Sequence, residues 1–165
     1  MPERFLDLVT RHQVDPGHLV HVGTVNGPEI SAYRLAGFDH VTVVNADPDQ
    51  ARALQGRFPW VDAQRMVCTL AETRGDDTIE VRRLDAIAPS ANVAVINSLG
   101  HERAILASAP WDSLDLLIVG TCTANEPSMY DLVTEIVTTR GFVEVDRWTR
   151  DASNHDVAYI KGTRL

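Results

Sequence analysis

Short apolar runs alternate with helix-like segments along almost the whole chain. Several runs are rich in branched residues and carry almost no charge, as in VTVV at residues 41–44 and NVAVI at residues 92–96. Strands that are apolar on both faces are typical of parallel sheets with helices packed on both sides. The alternation therefore predicts an α/β fold with a doubly wound, mostly parallel, Rossmann-like sheet.

The bounds of the expected elements follow from the breaks in this alternation. Helices are expected at residues 2–12, 27–35, 50–58, 101–107 and 129–139, the third of them capped by Asp47. Strands are expected at residues 19–23, 41–44, 64–69, 92–96 and 114–119, with a turn at 74–77 and a short strand after it. Residues 143–148 and 157–161 are expected to form a closing antiparallel hairpin. A length of 165 residues favours a single domain over residues 1–165.

The composition limits the classes of ligand. A net charge of −8 and a pI near 5.1 argue against nucleic acid and against an anionic membrane surface as partners. The sequence has no apolar run of about 18 residues that could span a bilayer and no evident signal peptide, so a cytoplasmic location is expected. Cys68 and Cys122 form neither a disulfide framework nor a metal-binding spacing, so no metal is expected. A small-molecule substrate is the expected partner, and homo- or hetero-oligomers stay open.

The first predicted strand ends in a glycine turn, HVGTVNG at residues 21–27, that leads into a helix. Gly23 and Gly27 would let the backbone pass close to a ligand, with Thr24 in the same turn and with N–H groups available at the start of the helix. A tight turn with nothing bound is the alternative. His21, the first residue of this stretch, is either a hydrogen-bonded core histidine or a group that titrates near neutral pH.

Polar side chains follow the next strands, where open α/β sheets bind their ligands. Asn45 could bond a ribose diol or could only shape a turn, and Asp47 could replace it as a ribose acceptor or could cap the helix. Asn97, His101 and Glu102 follow the fourth predicted strand. His101 is the best candidate for a general base, although a solvated histidine at a helix start is as plausible.

Segments in this order resemble a class I S-adenosylmethionine-dependent methyltransferase, and the FkbM family most of all. The resemblance rests on HVGTVNG (21–27), VTVVNADPDQ (41–50), RRLDAI (82–87), VINSLGHERAIL (95–106) and LLIVGT followed by YDLVTEIVTTRGF. It spans about residues 19–161. The segment between residues 70 and 84 is shorter than is usual for that family, which suggests that an element covering the substrate is missing.

The chain departs from the family pattern mainly at charged positions. Where the family has acids the chain has His21, Asn45, Asn97 and Gly120, and Val95 stands in place of a lysine. The glycines and Pro48 are retained. The shape of the pocket is therefore kept while most of its charges are lost, which implies weak binding of the cofactor. If Asn45 is a ribose ligand, Asn45→Glu should tighten that binding.

The resemblance implies S-adenosylmethionine as the cofactor and O-methylation of a small metabolite as the reaction. It assigns cofactor binding to His21, Gly23, Thr24, Gly27, Asn45, Asp47 and Asn97, and catalysis to His101 and Glu102. Two alternatives stay open because so many acids are replaced. One is a non-methylating enzyme that reuses the pocket, and the other is a catalytically inactive protein of this fold that binds a partner.

Overall fold

A single mixed sheet organises the part of the chain that the computed structural model describes, which is residues 2–23, 27–66, 82–98, 100–122 and 128–164. Its strands are β1 His18–Gly23, β2 His40–Asn45, β3 Val61–Arg65, β4 Ala91–Asn97, β5 Leu116–Cys122, β6 Phe142–Thr149 and β7 Asn154–Lys161. The helices are α1 Pro2–Arg11, α2 Gly27–Leu35, α3 Pro48–Arg57, α4 Leu84–Ile87, α5 Glu102–Leu106 and α6 Met129–Thr139, and a 3-10 turn covers Gly162–Arg164.

The strand order is β3-β2-β1-β4-β5-β7-β6. Strands β1 to β5 pair in parallel with one another, and β7 pairs antiparallel with both β5 and β6. The predicted α/β fold and its closing hairpin are therefore confirmed. The order reverses between β1 and β4, and such a switch point is where open α/β sheets bind ligands.

Each face of the sheet packs against its own set of helices. On one face Leu19 and Val43 lie in a cluster with Phe5 of α1 and Tyr33 of α2. On the other face, strand residues such as Val20 and Ile96 pack with Leu84, Ile105 and Val133. Neighbouring residues of one strand thus enter opposite cores, which explains why the central strands are mostly apolar. Burial of each large apolar side chain stabilises the fold by about 1.5–3 kcal/mol.

The predicted bounds of the third strand are wrong. The apolar run at residues 64–69 suggested a strand, but β3 begins at Val61 and ends at Arg65, and residues 67–69 lie outside the described residues. The edge strand β3 pairs only with β2, so its segment VDAQR can be polar on one side. The expected turn at 74–77, the strand after it and the shortened segment up to residue 81 also lie outside the described residues.

The other differences are small. β5 begins at Leu116, two residues later than expected, because Leu114 N–H bonds Pro110 O in the preceding turn. The short helix α4 was not predicted. Across the described residues no helix has the length and apolarity to cross a bilayer, and the longest, α6, has 11 residues.

Candidate functional site

The carboxyl ends of β1, β2, β4 and β5 meet at one edge of the sheet, where the turn between β6 and β7 also lies. Gly23 pairs with Asn97 across the switch point, and Cys122 of β5 pairs with Asn154 of β7. The sequence candidates that follow β1, β2 and β4 are therefore brought to the same edge. Thr24 belongs to residues 24–26, which lie outside the described residues.

Gly23 lies where two backbones nearly touch. Its φ is +105°, and a β-carbon built on it would lie 1.8 Å from the carbonyl oxygen of Asn97. Any larger residue would clash with backbone that has no space to move. The glycine expected to allow close approach is therefore required at the switch point by the protein's own packing.

Gly27 begins α2 and faces the end of α3. A β-carbon at this position would lie 3.0 Å from the guanidinium carbon of Arg57, which is an exposed side chain. The small residue leaves room for this flexible cation beside the first turn of α2. Pro28 follows it in the first helical turn, where a missing N–H costs nothing.

Both polar atoms of the Asn45 side-chain amide are hydrogen-bonded within the protein. Its Nδ2 donates to Gly23 O at 3.3 Å and to Gln50 Oε1 at 3.0 Å, while its Oδ1 accepts from Asp47 N–H at 2.9 Å. The residue is 7% exposed. Asn45 therefore fastens the end of β1 to the start of α3, as in the turn interpretation, and its role toward a ribose stays a prediction.

Asp47 caps α3, as the sequence predicts. Its Oδ1 accepts from the backbone N–H groups of Asp49 at 2.8 Å and Gln50 at 3.3 Å. These backbone hydrogen bonds lower the pKa of Asp47, so the exposed side chain is a carboxylate at neutral pH. Oδ2 accepts one bond, from Gln50 Nε2 at 3.3 Å, and a carboxylate oxygen can accept more than one. Asp47 is thus an anionic acceptor at the end of β2.

His21 is a buried, hydrogen-bonded residue of the core. It is 1% exposed, and its Nδ1 lies 2.8 Å from the hydroxyl of Tyr33 in α2. Burial, followed by the charges of Glu29 and Asp156, raises the pKa of Tyr33 well above 10, so the phenol keeps its proton. The core interpretation of His21 is therefore the one the structure bears out, and a further role toward a cofactor stays a prediction.

A cavity of about 350 Å³, here called the face cavity, opens beneath the sheet edge on the α2 side. It brings together His21 and Asn97, two of the residues that the sequence analysis proposes for the cofactor, and their role toward a cofactor stays a prediction. Its wall is completed by Glu29, Val95, Ile118, Trp148, Thr149, Arg150 and Asp156.

Arg150, in the turn after β6, was not among the residues chosen from sequence. Its Nη1 donates to Asn97 Oδ1 at 2.9 Å, and its Nε lies 3.3 Å from Asp156 Oδ1. Burial raises the pKa of Asp156, and the charge of Arg150 opposes that rise. A β-carbon at Gly120 would lie 2.5 Å from Arg150 Nη2, so the glycine that replaces an expected acid makes room for this guanidinium. That replacement was the signal in the sequence that could have pointed to Arg150.

A second cavity, here called the edge cavity, lies over the ends of β4 and β5 and measures about 290 Å³. Arg150 lies in the walls of both cavities and so forms part of the boundary between them. The other residues of the edge cavity are Gly100, Glu102, Gly120, Thr121, Cys122, Met129 and Asn154.

Glu102 braces the loop between β4 and α5. It is 2% exposed, and its Oε1 accepts from Ser98 N–H at 3.2 Å and from Ser98 Oγ at 3.1 Å. Its Oε2 accepts from Gly100 N–H at 2.9 Å. These contacts give the carboxylate a structural task in addition to its place in the edge cavity.

His101 does not line the edge cavity that contains Glu102. It is exposed, occupies the N-cap position of α5 without a capping bond from its side chain, and lies in a groove of about 770 Å³ between α5 and α6. Among the described cavities, the edge cavity contains Glu102 and this α5–α6 groove contains His101, so the two predicted catalytic residues line different spaces. The groove and the edge cavity share Gly100 and Met129.

The described residues contain no group of three or more histidine, cysteine, aspartate or glutamate side chains that could hold a metal ion.

No protein-family model matches the sequence, and no curated protein matches it. Solved structures match in fold. Burkholderia thailandensis 1,6-didemethyltoxoflavin-N1-methyltransferase, solved with its substrate and S-adenosylhomocysteine, is 12% identical with a TM-score of 0.58, over 97% of this chain and 77% of that chain. A ribosomal protein L11 methylase from Lactobacillus delbrueckii subsp. bulgaricus is 14% identical with a TM-score of 0.61, over 97% of this chain and 78% of that chain.

Magnesium protoporphyrin IX methyltransferase from Synechocystis, with bound S-adenosylmethionine, is 10% identical with a TM-score of 0.58, again over 97% of this chain and 77% of that chain. The chain therefore has the class I methyltransferase fold, as the sequence resemblance implies. At such low identity the likeness concerns the fold alone.

Proposed function

We propose that this chain is an S-adenosylmethionine-dependent methyltransferase that acts on a small molecule. The observation that carries the proposal is the strand order, with β7 inserted antiparallel between β5 and β6 and a glycine turn at the β1–β4 switch point. Solved proteins that share this architecture are methyltransferases by name, and two of them hold the cofactor or its product. The segments that resemble the FkbM family in order support the same activity.

The proposed cofactor residues lie at the ends of β1 and β2. Gly23 permits the left-handed turn that ends β1, and Gly27 begins α2 beside the flexible, exposed side chain of Arg57. The Asp47 carboxylate, with acceptor capacity on Oδ2, is our candidate for the ribose hydroxyls, and Asn45 supports it through Asp47 N–H. The cofactor would supply an electrophilic methyl group on a sulfonium, and the contributions of His21, Thr24 and Asn97 stay proposals.

The charges favour weak binding of that cofactor. Asn97 is neutral where the FkbM family, which the sequence resembles, has an acid, and it holds the cationic Arg150 instead of leaving an anion at the end of β4. Hydrogen bonds to charged groups contribute about 1.5–3 kcal/mol against about 1 kcal/mol for neutral ones. Each replaced acid therefore lowers the affinity by roughly tenfold.

For the acceptor we propose a hydroxyl group, which needs a base to take its proton as the methyl group arrives. His101 is the proposed base, and its place in the α5–α6 groove requires the acceptor to reach past Gly100 and Met129. Glu102 would hold that loop in position through its bonds to Ser98 and Gly100. The net charge of −8 favours a small molecule over nucleic acid.

A second candidate is a protein of this fold that does not transfer methyl groups. It is favoured by one observation, the bonding of both polar atoms of the Asn45 amide to Gly23, Gln50 and Asp47. In a protein that binds no cofactor here, the polar side chains at the ends of the strands would form their hydrogen bonds to protein atoms in this way. The experiment below separates the two candidates.

The test is turnover. The purified protein is incubated with S-adenosylmethionine and a protein-free extract of small molecules, and S-adenosylhomocysteine is quantified by mass spectrometry against the heat-inactivated protein. Formation of S-adenosylhomocysteine together with a product heavier by one methyl group supports the proposal. If neither forms with any extract while the protein remains folded, the scaffold candidate replaces it.

A further inference from the structure

We propose that Arg150 recognises an anionic group, a carboxylate or a phosphate, on the molecule that occupies the edge cavity. The identification of that molecule as the methyl acceptor rests on the proposed function above. The anion-binding property itself rests only on the geometry of Arg150.

The guanidinium is held by two partners on one side. Nη1 donates to Asn97 Oδ1 at 2.9 Å, and Nε lies 3.3 Å from Asp156 Oδ1, a carboxylate whose side chain is only 9% exposed. These bonds fix the plane of the group before any ligand arrives, which lowers the entropy lost on binding.

The other side of the guanidinium lies against the edge cavity. Nη2 occupies the space over Gly120, 2.5 Å from where a β-carbon would be, and makes no hydrogen bond within the described ranges of the chain. Nη2 carries two N–H groups, so a planar arginine here offers paired donors of the kind that match carboxylate and phosphate oxygens.

The surrounding charges permit an anion. Glu102 is the other charged side chain in the described wall of the edge cavity, and both of its oxygens already accept hydrogen bonds from the loop after β4. Asp156 lies in the wall of the face cavity, not of the edge cavity, and its carboxylate bonds Nε of Arg150 and leaves Nη2 to a ligand. The remaining described lining of the edge cavity is neutral, so its ligand would meet Arg150 as the only cation.

The position in the sheet separates this anion from the cofactor's own carboxylate. The edge cavity is lined by β5, β7, the turn between β6 and β7, the loop after β4 and the starts of α5 and α6, whereas Gly27 and Asp47 follow β1 and β2. We therefore assign the anion to the acceptor, and the experiment distinguishes the two sources.

The test uses Cys122, which lines the same cavity, as a reporter. Its thiolate displaces iodide from iodoacetate or from iodoacetamide, forming a carbon–sulfur bond in both cases, and the two reagents differ mainly in charge. We expect the ratio of the iodoacetate rate to the iodoacetamide rate at Cys122 to fall about tenfold in Arg150→Gln, because a charge-assisted contact is lost. The ratio at Cys68 in the same chain serves as an internal reference.

Two further variants keep the result interpretable. Arg147→Gln removes a neighbouring arginine of β6 that bonds Glu144, outside both cavities, and should leave the Cys122 ratio unchanged. The double variant Arg150→Gln/Asp156→Asn removes both charges of the pair and covers the case in which Arg150→Gln leaves Asp156 buried alone and unfolds the protein. An unchanged Cys122 ratio in a folded variant that lacks Arg150 overturns the proposal.

The source of the anion is tested by calorimetry with S-adenosylhomocysteine, 5′-methylthioadenosine and benzoate. Arg150→Gln should weaken benzoate about tenfold and leave both nucleosides within twofold of the wild type. Weakening of S-adenosylhomocysteine alone, with 5′-methylthioadenosine and benzoate unaffected, would assign Arg150 to the cofactor's carboxylate and overturn our assignment to the acceptor. Because benzoate needs no cofactor, its result stands even if neither nucleoside binds.

Discussion

Arg150 Nη1 donates a hydrogen bond of 2.9 Å to Asn97 Oδ1, a residue 53 positions earlier in the chain. This bond ties the β6–β7 turn to the end of β4 and places a cation where the FkbM family, which the sequence only resembles, carries acids. The charge at this end of the sheet edge is therefore altered while the positions of the strands are kept. Such a site should differ from its relatives in affinity and in acceptor more than in shape.

Asn45→Glu tests whether Asn45 binds the ribose of the cofactor or has only a structural role. The amide donates to Gly23 O and to Gln50 Oε1, and a carboxylate at its place would face two acceptor oxygens. We expect a loss of about 1–3 kcal/mol in the free energy of unfolding and no gain in S-adenosylhomocysteine affinity. The sequence alone favoured the opposite result. Tighter binding with unchanged stability, measured by calorimetry and urea unfolding, would restore Asn45 as a ribose ligand.

Glu102→Gln should destabilise the protein. The glutamate accepts from Ser98 N–H on one oxygen and from Gly100 N–H on the other, and glutamine would turn an NH₂ donor toward one of these donors. The expected cost is about 1–3 kcal/mol of unfolding free energy. Glu135→Gln, on the exposed side of α6, is the matched control and should stay within about 0.5 kcal/mol of the wild type. Equal stability of the two variants would argue against a bracing role.

His101→Gln tests the proposed base. Loss of a general base lowers turnover about a hundred- to ten-thousand-fold, whereas the exposed position of His101 predicts S-adenosylhomocysteine affinity within a few-fold of the wild type. The comparison requires a substrate found in the turnover experiment. Full activity in the variant would show that His101 is not the base, and a residue that lines the edge cavity would then have to take that role.

His18 should make the fold sensitive to mild acid. Its ring stacks on His40 at 3.7 Å, and Nε2 lies 3.0 Å from Thr42 Oγ1. Burial, and secondly the nearby His40, lower the pKa of His18 from 6.5 to about 4, with Asp62 partly opposing the shift. Between these two pH values His18 of the unfolded chain binds a proton that His18 of the folded chain does not. The contribution of His18 to the free energy of unfolding is therefore fully present above pH 6.5 and is lost as the pH falls toward 4.

The measurement is urea unfolding of the wild type and of His18→Gln at about pH 8 and about pH 5. Glutamine can keep a hydrogen bond to Thr42 and does not titrate, so the variant should lose less stability between the two conditions. The difference between the two proteins cancels groups that titrate in both. An identical pH dependence would show that His18 is protonated equally well in the folded state.

The fold could be predicted from sequence wherever the pattern is local. The helix at Met129–Thr139 and the cap at Asp47 have the expected bounds and contacts because both follow from residues a few positions apart. The third strand was predicted at residues 64–69 but lies at Val61–Arg65, because the position of this polar strand depends on its pairing with β2 and not on its own composition.

The site was less predictable for the same reason. Gly23 and His21 were identified from a motif in one stretch of chain. The role of Arg150 depends on Asn97 and Asp156, one of them distant in sequence, and no periodicity links Arg150 to Asn97. The separation of His101 from Glu102 depends on how the first turn of α5 is oriented, and neighbouring helical residues point about 100° apart.

Titration of the protein with S-adenosylhomocysteine by calorimetry tests the central claim most directly, with Asp47→Asn and Asp49→Asn as a matched pair. Both aspartates are exposed and lie at the start of α3, but Asp49 bonds Arg52 of its own helix, whereas Asp47 lies two residues from the end of β2 and keeps acceptor capacity on Oδ2. We predict one binding site per chain, weakened about tenfold by Asp47→Asn and unchanged by Asp49→Asn. Absence of binding to the folded wild type, or equal affinity in the two variants, would contradict a cofactor site at the ends of β1 and β2.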